Sequence, residues 1–435
     1  MTVDLPCRDT RARTALVVGA NGFLGGFVAA ALARRGWRVL PGVRSLSTKS
    51  DERRCDFATM HTPDAWRAAL VGVDAVVNVA GILREQGSQT FENIHVIGPT
   101  ALATAAMHLG IGCFVQVSAL GSPEDGEFVA SKHRFDDILL AMPLDSAVLR
   151  PSLVYSVAGS YGGSSLLRAL AGFPGVQLLP GGGRWLVQPL AAEDLGALVV
   201  RAAEGAMEGI YEVGGPEQMS LLSYQSRWRQ WLRIPGARVL RVPESLVSIG
   251  VWVGERLGRG PVGETMWRML KRGNFTRDDA LSRLRDATGF SPRPMSEVLA
   301  ERPSQVQDRW QAQLYFLAPT LHWAIVIVWM LSACAGLATS GSRIEALAAD
   351  SILLQAAPVA LARGMAVVDL LLALWLLCGW RPRWAIGLMG VSVAIYTIAF
   401  GTALPSLWLD PLGGLAKNLI ILPALATAWV LAEQR

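Results

Sequence analysis

Charged residues are scarce in this sequence, and their scarcity limits what the protein can be. Asp, Glu, Lys and Arg make up 17% of its 435 residues, whereas an ordinary soluble domain has about 25%. The net charge is +5, and no dense Lys/Arg stripe with interleaved aromatic residues occurs. We therefore expect no nucleic-acid partner, and we interpret the positive excess as charge that anchors the protein at the cytoplasmic face of a membrane.

Cysteine is also sparse. The cysteines are odd in number, lie far apart and lack CxxC spacing. This pattern argues against a disulfide framework and against a zinc site, and it is typical of a protein in a reducing compartment. We therefore predict no metal centre. The five residues are Cys7, Cys55, Cys113, Cys334 and Cys378.

Near the N-terminus, one apolar run needs a separate explanation. Ala15–Ala33 follows Arg8, Arg11 and Arg13, which is the arrangement of a signal peptide or of a membrane span. Asn21 and several glycines interrupt the run, however. The spacing of those glycines accounts for the segment better than a membrane does.

Four C-terminal stretches approach or exceed the ~20 residues with which a helix crosses the apolar core of a bilayer. Several tryptophans lie near their ends, where an interfacial aromatic belt would be. The sequence therefore predicts an all-α, four-helix transmembrane bundle at residues 317–432. The predicted spans are Leu317–Leu337, Pro358–Trp380, Trp384–Phe400 and Leu415–Leu431.

Basic residues predict the orientation of this bundle. Arg302 and Arg309 precede the first span, and Arg381 and Arg383 lie between the second and the third. Cytoplasmic loops carry an excess of such charges. We therefore expect an integral protein of a bacterial inner membrane, with both ends of the bundle and the N-terminal domain in the cytoplasm.

The N-terminal part begins with a pattern typical of nucleotide-binding folds. Thr14–Gly19 is a short apolar and β-branched run that predicts a buried parallel strand, and an Ala-rich helical stretch follows. Between them lies the turn GANGFLG, whose glycines are spaced GxxGxxG. Glycine lets a backbone turn sharply and approach a pyrophosphate, which the N-terminus of the next helix then binds. The cofactor-binding residues predicted here are Gly19, Asn21, Gly22, Phe23, Leu24 and Gly25.

Residues after the next strands indicate the kind of dinucleotide. Arg44 follows the second predicted strand, where an acid suits the ribose of NAD and an Arg suits the extra phosphate of NADP. We predict NADP, with NAD as the alternative if Arg44 is only a solvated loop charge. Asp56 is either an adenine ligand or an ordinary turn residue. Ala80 and Gly81 follow the strand Val73–Val79, and their small size leaves room for a cofactor ring.

These segments together resemble the atypical or extended short-chain dehydrogenase/reductases, of the kind called NAD-dependent epimerase/dehydratase. The matching pieces are GANGFLG, VNVAG, VSALGS, ASK and VLRPSLVY, and the match covers roughly residues 14–300. The resemblance implies an α/β Rossmann domain with a doubly wound parallel sheet at residues 12–300, with substrate-side elements from about residue 151. The chain also resembles the nucleotide-binding accessory subunit of respiratory complex I, a relative that binds the dinucleotide without evident turnover.

This resemblance implies a catalytic Ser, Tyr and Lys, with the last two spaced YxxxK. Ser118 and Lys132 match the Ser and the Lys, but Phe128 occupies the Tyr position. Phe has no titratable proton and cannot act as an acid or a base. Ordinary dehydrogenase catalysis is therefore in doubt, although Ser118 and Lys132 can still hold the cofactor. The other proton donors to consider are His133, Tyr155 and Tyr161.

The C-terminal segment resembles the DoxX-like family of four-helix membrane domains. The resemblance rests on DPLGGLAKN at Asp410–Asn418 and on the Trp310–Trp329 region. Polar groups inside a membrane are costly, so we expect a Lys417–Asp369 pair to orient the helices. Residues 301–316 are a predicted linker, because the segment around them is polar and rich in Pro and Arg, which predicts an exposed stretch. This stretch can contain a short amphipathic helix.

Two hypotheses about function follow. The first is a membrane-anchored NAD(P)(H)-binding, oxidoreductase-like enzyme of the epimerase/dehydratase class that acts on a lipid-like or quinone-like small molecule. The second is a catalytically inactive dinucleotide-binding sensor or assembly factor for a membrane complex, which Phe128 favours. Besides the lipid bilayer, the partners left open are another membrane protein and a second copy of this chain.

Overall fold

The chain forms two compact units, the first ending at Ala312 and the second beginning at Gln313. A computed structural model describes residues 12–48, 51–236, 238–257, 263–349, 356–409 and 414–433. The expectations that involve Cys7, Arg8, Arg11 and residues 410–413 lie outside this part of the chain.

The strands of the first unit are short. In chain order they are β1 Thr14–Val18, β2 Arg38–Val43, β3 Arg53–Arg54, β4 Ala75–Asn78, β5 Cys113–Val117, β6 Ser146–Pro151, β7 Val154–Tyr155, β8 Val176–Pro180, β9 Leu186–Val187, β10 Leu190–Ala191, β11 Gly209–Val213, β12 Met219–Ser220 and β13 Arg238–Val242.

Helices alternate with these strands and continue beyond them. They are α1 Phe23–Arg34, α2 Pro63–Trp66, α3 Gly98–His108, α4 Glu127–Leu140, α5 Gly162–Ala171, α6 Ala192–Ala203, α7 Leu221–Trp231, α8 Glu244–Leu257, α9 Glu264–Arg272, α10 Ala280–Thr288, α11 Met295–Glu301 and α12 Val306–Ala338. A π-helical segment at Glu92–Ile97 leads into α3.

Among the described residues, seven strands form one parallel sheet, in the order β11-β6-β5-β4-β1-β2-β3. The order reverses between β1 and β4: β2 and β3 continue from β1 on one side, whereas β5, β6 and β11 continue from β4 on the other. In open α/β sheets such a reversal opens a crevice at the carboxyl ends of the two central strands. In such proteins, ligands bind in that crevice. In this chain the crevice lies after β1 and β4.

Alternation along β1 divides the sheet's apolar residues between two cores. Ala15 and Val17 pack with residues of α1 and α6 on one face. Leu16 and Val18 pack with residues of α2, α3 and α4 on the other. Successive side chains of a strand point to opposite faces, so a strand that is apolar throughout must be covered on both. The predicted doubly wound α/β fold is confirmed.

A smaller region follows the sheet and has its own core. The strand pairs β7–β10 and β8–β13 are parallel, and β9–β12 is antiparallel. Tyr155, Tyr224 and Trp228 pack edge-to-face in this core. Substrate-side elements were expected from about residue 151, and that role of this region stays a prediction.

The segment expected to be an exposed linker is exposed at many positions, but several of its side chains pack against this region. Its short helix α11 buries Met295 and Val298 in the third core. Helix α12 then begins within the predicted linker, and the buried Asp308 accepts a hydrogen bond from Arg168 of α5 at 3.2 Å. Removing one partner of a buried ion pair costs about 3–5 kcal/mol. The polar composition of the segment thus reflects specific partners in the first unit, which a single sequence does not reveal.

The second unit is helical. Beyond α12 it contains α13 Gly341–Ala348, α14 Pro358–Cys378, α15 Pro382–Ala403 and α16 Asn418–Leu431. In the described part of the chain, α12, α14 and α15 are long and apolar enough to cross a membrane, by length and composition. The predicted fourth span Leu415–Leu431 is represented by α16, whose 14 residues are fewer than the ~20 that a perpendicular crossing requires.

Polar groups inside the second unit pair differently from the expectation. Ser332 donates to Asp369 Oδ2 at 2.7 Å, and Asn418 donates to Thr397 Oγ1 at 2.9 Å. Among the described residues no ion pair joins Asp369 to Lys417, which lies exposed just before α16. The predicted Lys417–Asp369 pair is wrong, because a hydroxyl on α12 is the partner of this carboxyl group.

Gly25→Ala should destabilise the protein, because a Cβ at this position would lie 2.1 Å from the carbonyl oxygen of Gly19. Such overpacking typically costs about 1–3 kcal/mol. Gly26→Ala is the matched control: its Cβ would meet nothing within 4 Å, and Ala is favoured over Gly in a helix by about 0.5–1 kcal/mol. Thermal unfolding of the full chain in detergent should show a lower midpoint for Gly25→Ala and an equal or higher one for Gly26→Ala. Similar midpoints for both variants would contradict the close approach described here.

Candidate functional site

The glycine turn after β1 lies at the crevice between β1 and β4. Gly19 has φ +87°, and a Cβ there would lie 3.0 Å from the Cα and N of Ala80, which follows β4. The N–H of Gly22 donates to the Gly19 carbonyl at 2.9 Å and closes the turn. A larger residue at position 19 would therefore be strained in its backbone and would also collide with the neighbouring strand end.

Helix α1 begins at the end of this turn with its N–H groups uncovered by any side chain. Its N-cap is Gly22, and no side-chain cap is formed. Asn21 and Gly22 are exposed, while Phe23 and Leu24 are half-buried. Free N–H groups and the positive end of the helix dipole together form a site for an anion such as a phosphate.

Arg44 and Asp56 occupy different surroundings. Arg44 is exposed, directly after β2, which is the strand next to β1 in the sheet. The Asp56 carboxylate accepts hydrogen bonds from the N–H of Ala58 at 3.1 Å and from Thr59 Oγ1 at 3.0 Å. The structure therefore gives Asp56 the contacts of a turn residue, which was one of the two expectations for it.

Lys132 of α4 reaches the same edge of the sheet from the other side. Its side chain is 5% exposed, and Nζ donates to the carbonyl of Val117 at 3.2 Å and to that of Ala80 at 3.5 Å. Burial lowers the pKa of this ammonium group to about 8, and the carboxylate of Asp136 one helical turn away opposes the shift. A Cβ on the exposed Gly81 would lie 3.2 Å from Nζ, so this glycine leaves the ammonium close to the surface of the crevice.

Phe128 places an aromatic ring where a phenol would otherwise lie. Its centroid is 6.0 Å from Lys132 Nζ, 5.7 Å from the ring of His95 and 6.4 Å from that of Phe91. Residues four apart in a helix share one face, so Phe128 and Lys132 are neighbours by helix geometry. Phe128 thus lies beside Lys132, and its assignment to the Tyr position stays a prediction.

His95 was not predicted, and it holds the loop after β4 in place. Its Nε2 accepts the N–H of Ile82 at 3.1 Å, so the proton of the neutral ring is on Nδ1, which donates to Ser131 Oγ at 2.9 Å. Ser131 in turn donates to the Glu127 carbonyl at 2.7 Å. Burial, with the charges of Lys132 and Arg134, lowers the pKa of His95 to about 2. The ring therefore stays neutral and positions other groups; no motif signals it, since its partners are distant in sequence.

Ser118 lies below the crevice in a polar network of its own. Its hydroxyl donates to Asp136 Oδ2 at 2.7 Å, and Arg150 donates to the same oxygen at 2.9 Å. Both Ser118 and Asp136 are buried, and burial raises the pKa of the Asp136 carboxyl group. The Ser118 hydroxyl thus donates to Asp136 and can still accept a hydrogen bond, so the cofactor contact that the resemblance implied stays a prediction.

The three other candidate proton donors differ in burial and in their distance from the crevice. His133 is buried and donates to the Ala119 carbonyl at 2.9 Å. Tyr155 is fully buried, and burial raises the pKa of its phenol. Tyr161 is 68% exposed and stacks on Phe23 of the glycine turn, with ring centroids 6.5 Å apart. Of the three, only Tyr161 lies beside the crevice, and it lies at the phosphate end.

Each of the two parts of the chain matches the model of a known protein family. Residues 15–161 match the model of the NAD dependent epimerase/dehydratase family. Residues 326–426 match that of the DoxX-like family. The first match contains the glycine turn, Phe128 and Lys132, and the second contains α14 and α15 and part of α12 and α16.

Similar curated proteins come from bacteria and plants. The ceramide reductase of Caulobacter vibrioides is 29% identical over 145 residues, which are 32% of this chain and 45% of that protein. Subunit 9 of the NADH dehydrogenase [ubiquinone] 1 alpha subcomplex of Arabidopsis thaliana is 25% identical over 51% of this chain and 60% of that protein. The matches thus span about half the length of these two relatives.

Solved structures share the fold at low identity. The human epimerase family protein SDR39U1 (isoform 2), solved with NADPH, is 18% identical with a TM-score of 0.51, over 66% of this chain and 98% of that chain. The protein gox2253 is 21% identical with a TM-score of 0.51, over 66% of this chain and 96% of that chain. Family models thus find an NAD dependent epimerase/dehydratase domain at residues 15–161 and a DoxX-like domain at residues 326–426.

Proposed function

We propose that this protein is a membrane-anchored reductase that binds NADP(H) at the crevice between β1 and β4 and reduces a carbonyl group of a lipid-like substrate. One observation carries the proposal: the glycine turn with its uncapped helix and the buried Lys132 border the same edge of the sheet. The first suits a pyrophosphate, and the second suits the reacting end of a dinucleotide.

The residues of the crevice fit such a cofactor. Gly19, Asn21, Gly22, Phe23, Leu24 and Gly25 would hold the pyrophosphate through backbone N–H groups. Ala80 and Gly81 would admit the ring system, because neither has a bulky side chain. Lys132 would hold the nicotinamide ribose, and Asp56 would adjoin the adenine while keeping its turn contacts.

Arg44 favours NADP over NAD. It lies at the end of β2, where the protein would bind the ribose hydroxyls of the adenosine half. Its guanidinium can bind a 2′-phosphate through two parallel hydrogen bonds. Its exposure leaves it available for such a ligand.

Lys132 would supply the proton of the reaction. Bound NADPH would provide a hydride for the carbonyl carbon, and the substrate oxygen would then need one proton. With a pKa of about 8, the Lys132 ammonium is protonated at neutral pH and acidic enough to donate. Phe128 cannot take part in proton transfer but shields the ammonium from water, and Ser118 acts as a positioning residue through Asp136.

The membrane domain suggests where the substrate comes from. Among the described residues three helices are long and apolar enough to cross a bilayer, and the match to the DoxX-like family fits the same environment. A domain held in this way at the cytoplasmic face of a bacterial inner membrane meets lipids at high local concentration. The similarity to a ceramide reductase supports a lipid-like substrate.

A second candidate function is a dinucleotide-binding module that performs no reaction and stabilises a membrane complex. Phe128 favours it, since the phenol expected at this position is missing. The similarity to a subunit of NADH dehydrogenase points the same way. The wild-type turnover described below separates the two candidates.

Arg44→Ala should weaken NADPH binding by about 10- to 100-fold, the loss expected for a hydrogen bond to a charged group, and should leave NADH binding unchanged. Titration calorimetry of the detergent-solubilised full chain measures both affinities. Arg35→Ala is the control, because Arg35 pairs with Glu204 at the other end of α1. Equal losses for the two dinucleotides, or no loss at all, would show that Arg44 does not contact a 2′-phosphate.

Phe128→Tyr should raise turnover by about 100- to 10,000-fold, the usual contribution of a positioned acid. The assay follows NADPH oxidation with a long-chain ketone in mixed micelles. Wild type should be slow but measurable, and Lys132→Met should be inactive. Phe91→Tyr is the control, since it adds a phenol to the neighbouring ring without placing it one turn before Lys132. An inactive wild type that binds NADPH tightly, with activity only in Phe128→Tyr, would select the second candidate.

Lys132→Met should change the pH dependence of stability. Because the pKa of Lys132 falls from 10.5 to about 8 on folding, the unfolded chain binds more protons between these values, and wild type gains stability as pH rises through this window. The full gain is about 3 kcal/mol, and the Met variant lacks it. Thermal midpoints at pH 7 and pH 9.5 should therefore shift in favour of wild type at the higher pH. The exposed Lys271→Met is the control; a difference that does not change with pH would contradict a buried ammonium.

A further inference from the structure

Helix α8 in the first unit carries an apolar stripe on its outer side. Leu246, Ile249, Trp252 and Val253 are 57%, 59%, 56% and 40% exposed. Their spacing of three, six and seven residues places them on one face of the helix. Val251, on another side of the helix, is buried. The helix thus packs with one side and presents large apolar groups with the other.

The strand that leads into α8 also exposes apolar side chains, one on each of its faces. Val239 and Leu240 of β13 are about half exposed. A single exposed apolar residue is ordinary, whereas a contiguous group of large ones marks a surface that contacts another apolar phase. We name these six residues the β13–α8 face: Val239, Leu240, Leu246, Ile249, Trp252 and Val253.

Positive charge surrounds the face. Arg238 and Arg241 lie on β13 and are exposed, and the guanidinium of Arg256 lies 4.3 Å from the ring centroid of Trp252. The acids of α8 have basic partners nearby: Glu244 lies 3.7 Å from Arg184, and Glu255 lies 3.6 Å from Arg84. The arginines of the face are therefore not neutralised by the acids of the same helix.

A groove of about 440 Å³ opens beside the start of α8. Gly181 and Gly182 line it with positive φ angles and no side chains, so its floor is open backbone. Arg184 and Arg241 line it; Arg184 lies 3.7 Å from Glu244, whereas Arg241 forms no ion pair among the described residues, so its guanidinium can bind phosphate oxygens. The groove is thus shaped and charged for a phosphate-bearing headgroup.

We propose that the β13–α8 face lies on the bilayer surface, with its apolar stripe among the upper acyl chains and the arginines of the adjacent groove bound to phosphates of anionic phospholipids. Amphipathic helices with Trp and aliphatic residues on one side and Arg nearby bind membranes in this way. The proposal concerns the orientation of the first unit and is independent of whether the crevice catalyses a reaction.

The bilayer suits this face better than a second copy of the chain. The face is ringed by arginines, so pairing it with itself would bring like charges together. A chain with membrane-spanning helices also keeps its first unit close to lipid at all times, and this high effective concentration favours even weak contacts with the bilayer.

The test places a fluorescent label on the face of the full chain in nanodiscs. Ile249→Cys is labelled with bimane in a background in which Cys7, Cys334 and Cys378 are replaced by Ala. Val71→Cys is the control, since Val71 is also an exposed apolar residue of the first unit, 69% exposed against 59% for Ile249, and lies before β4. Quenching is measured with a nitroxide on the lipid headgroup and, separately, with iodide in water.

In nanodiscs with anionic phospholipid, we expect the headgroup nitroxide to quench the label at position 249 at least twofold more than the label at position 71. We expect iodide to quench the label at position 249 at least twofold less than the label at position 71. Arg238→Glu combined with Arg241→Glu should remove the difference between anionic and zwitterionic nanodiscs. Iodide access at 249 equal to that at 71 would overturn the proposal, and so would protection from both quenchers, because protein would then cover the face. Unchanged thermal midpoints of the labelled chains exclude misfolding as the cause.

Discussion

The close approach of the glycine turn to its surroundings is the constraint on which the candidate site depends. Gly25 packs against the carbonyl of Gly19, and Gly19 packs against Ala80 of the neighbouring strand end. These contacts leave no space for a Cβ, and they hold the uncapped start of α1 at the point where the strand order reverses. The uncapped start of α1, the small residues after β4 and the ammonium group of Lys132 thus meet at one edge of the sheet.

Burial of Lys132 at this site costs free energy of folding. Burying an ammonium group disfavours its charged form, and the two carbonyls that accept its hydrogen bonds offset this only in part, as its lowered pKa shows. The fold would be more stable with an apolar residue there at neutral pH if packing were the only requirement. Strongly perturbed groups of this kind concentrate at functional sites. Here the neutral His95 and the aromatic ring of Phe128 lie beside the cation.

Local features could be predicted from the sequence, and long-range partners could not. The strand, glycine turn and helix at the N-terminus depend on neighbours in sequence, so their pattern and position agree with the structure. The start of α12 was missed because Arg168 and Asp308, which stabilise it, are 140 residues apart. The partner of Ser118 was missed for the same reason, since Asp136 and Arg150 come from a different helix and strand. Lys417 was paired with Asp369 by charge alone, whereas a serine hydroxyl fills that place.

Phe128 limits which residue of the site could donate a proton, whereas the fold does not. A phenol one turn before Lys132 would share its proton with substrate and leave the lysine as a fixed charge. A phenyl ring removes that proton but retains the apolar contact and the weak attraction for a cation. The ammonium is then the acid nearest the crevice among the described residues that line it, and its pKa decides whether a proton is available at neutral pH. A lysine with the pKa of a solvated side chain would be too weak an acid to serve, so the burial that destabilises Lys132 is also what would let this site act without a tyrosine.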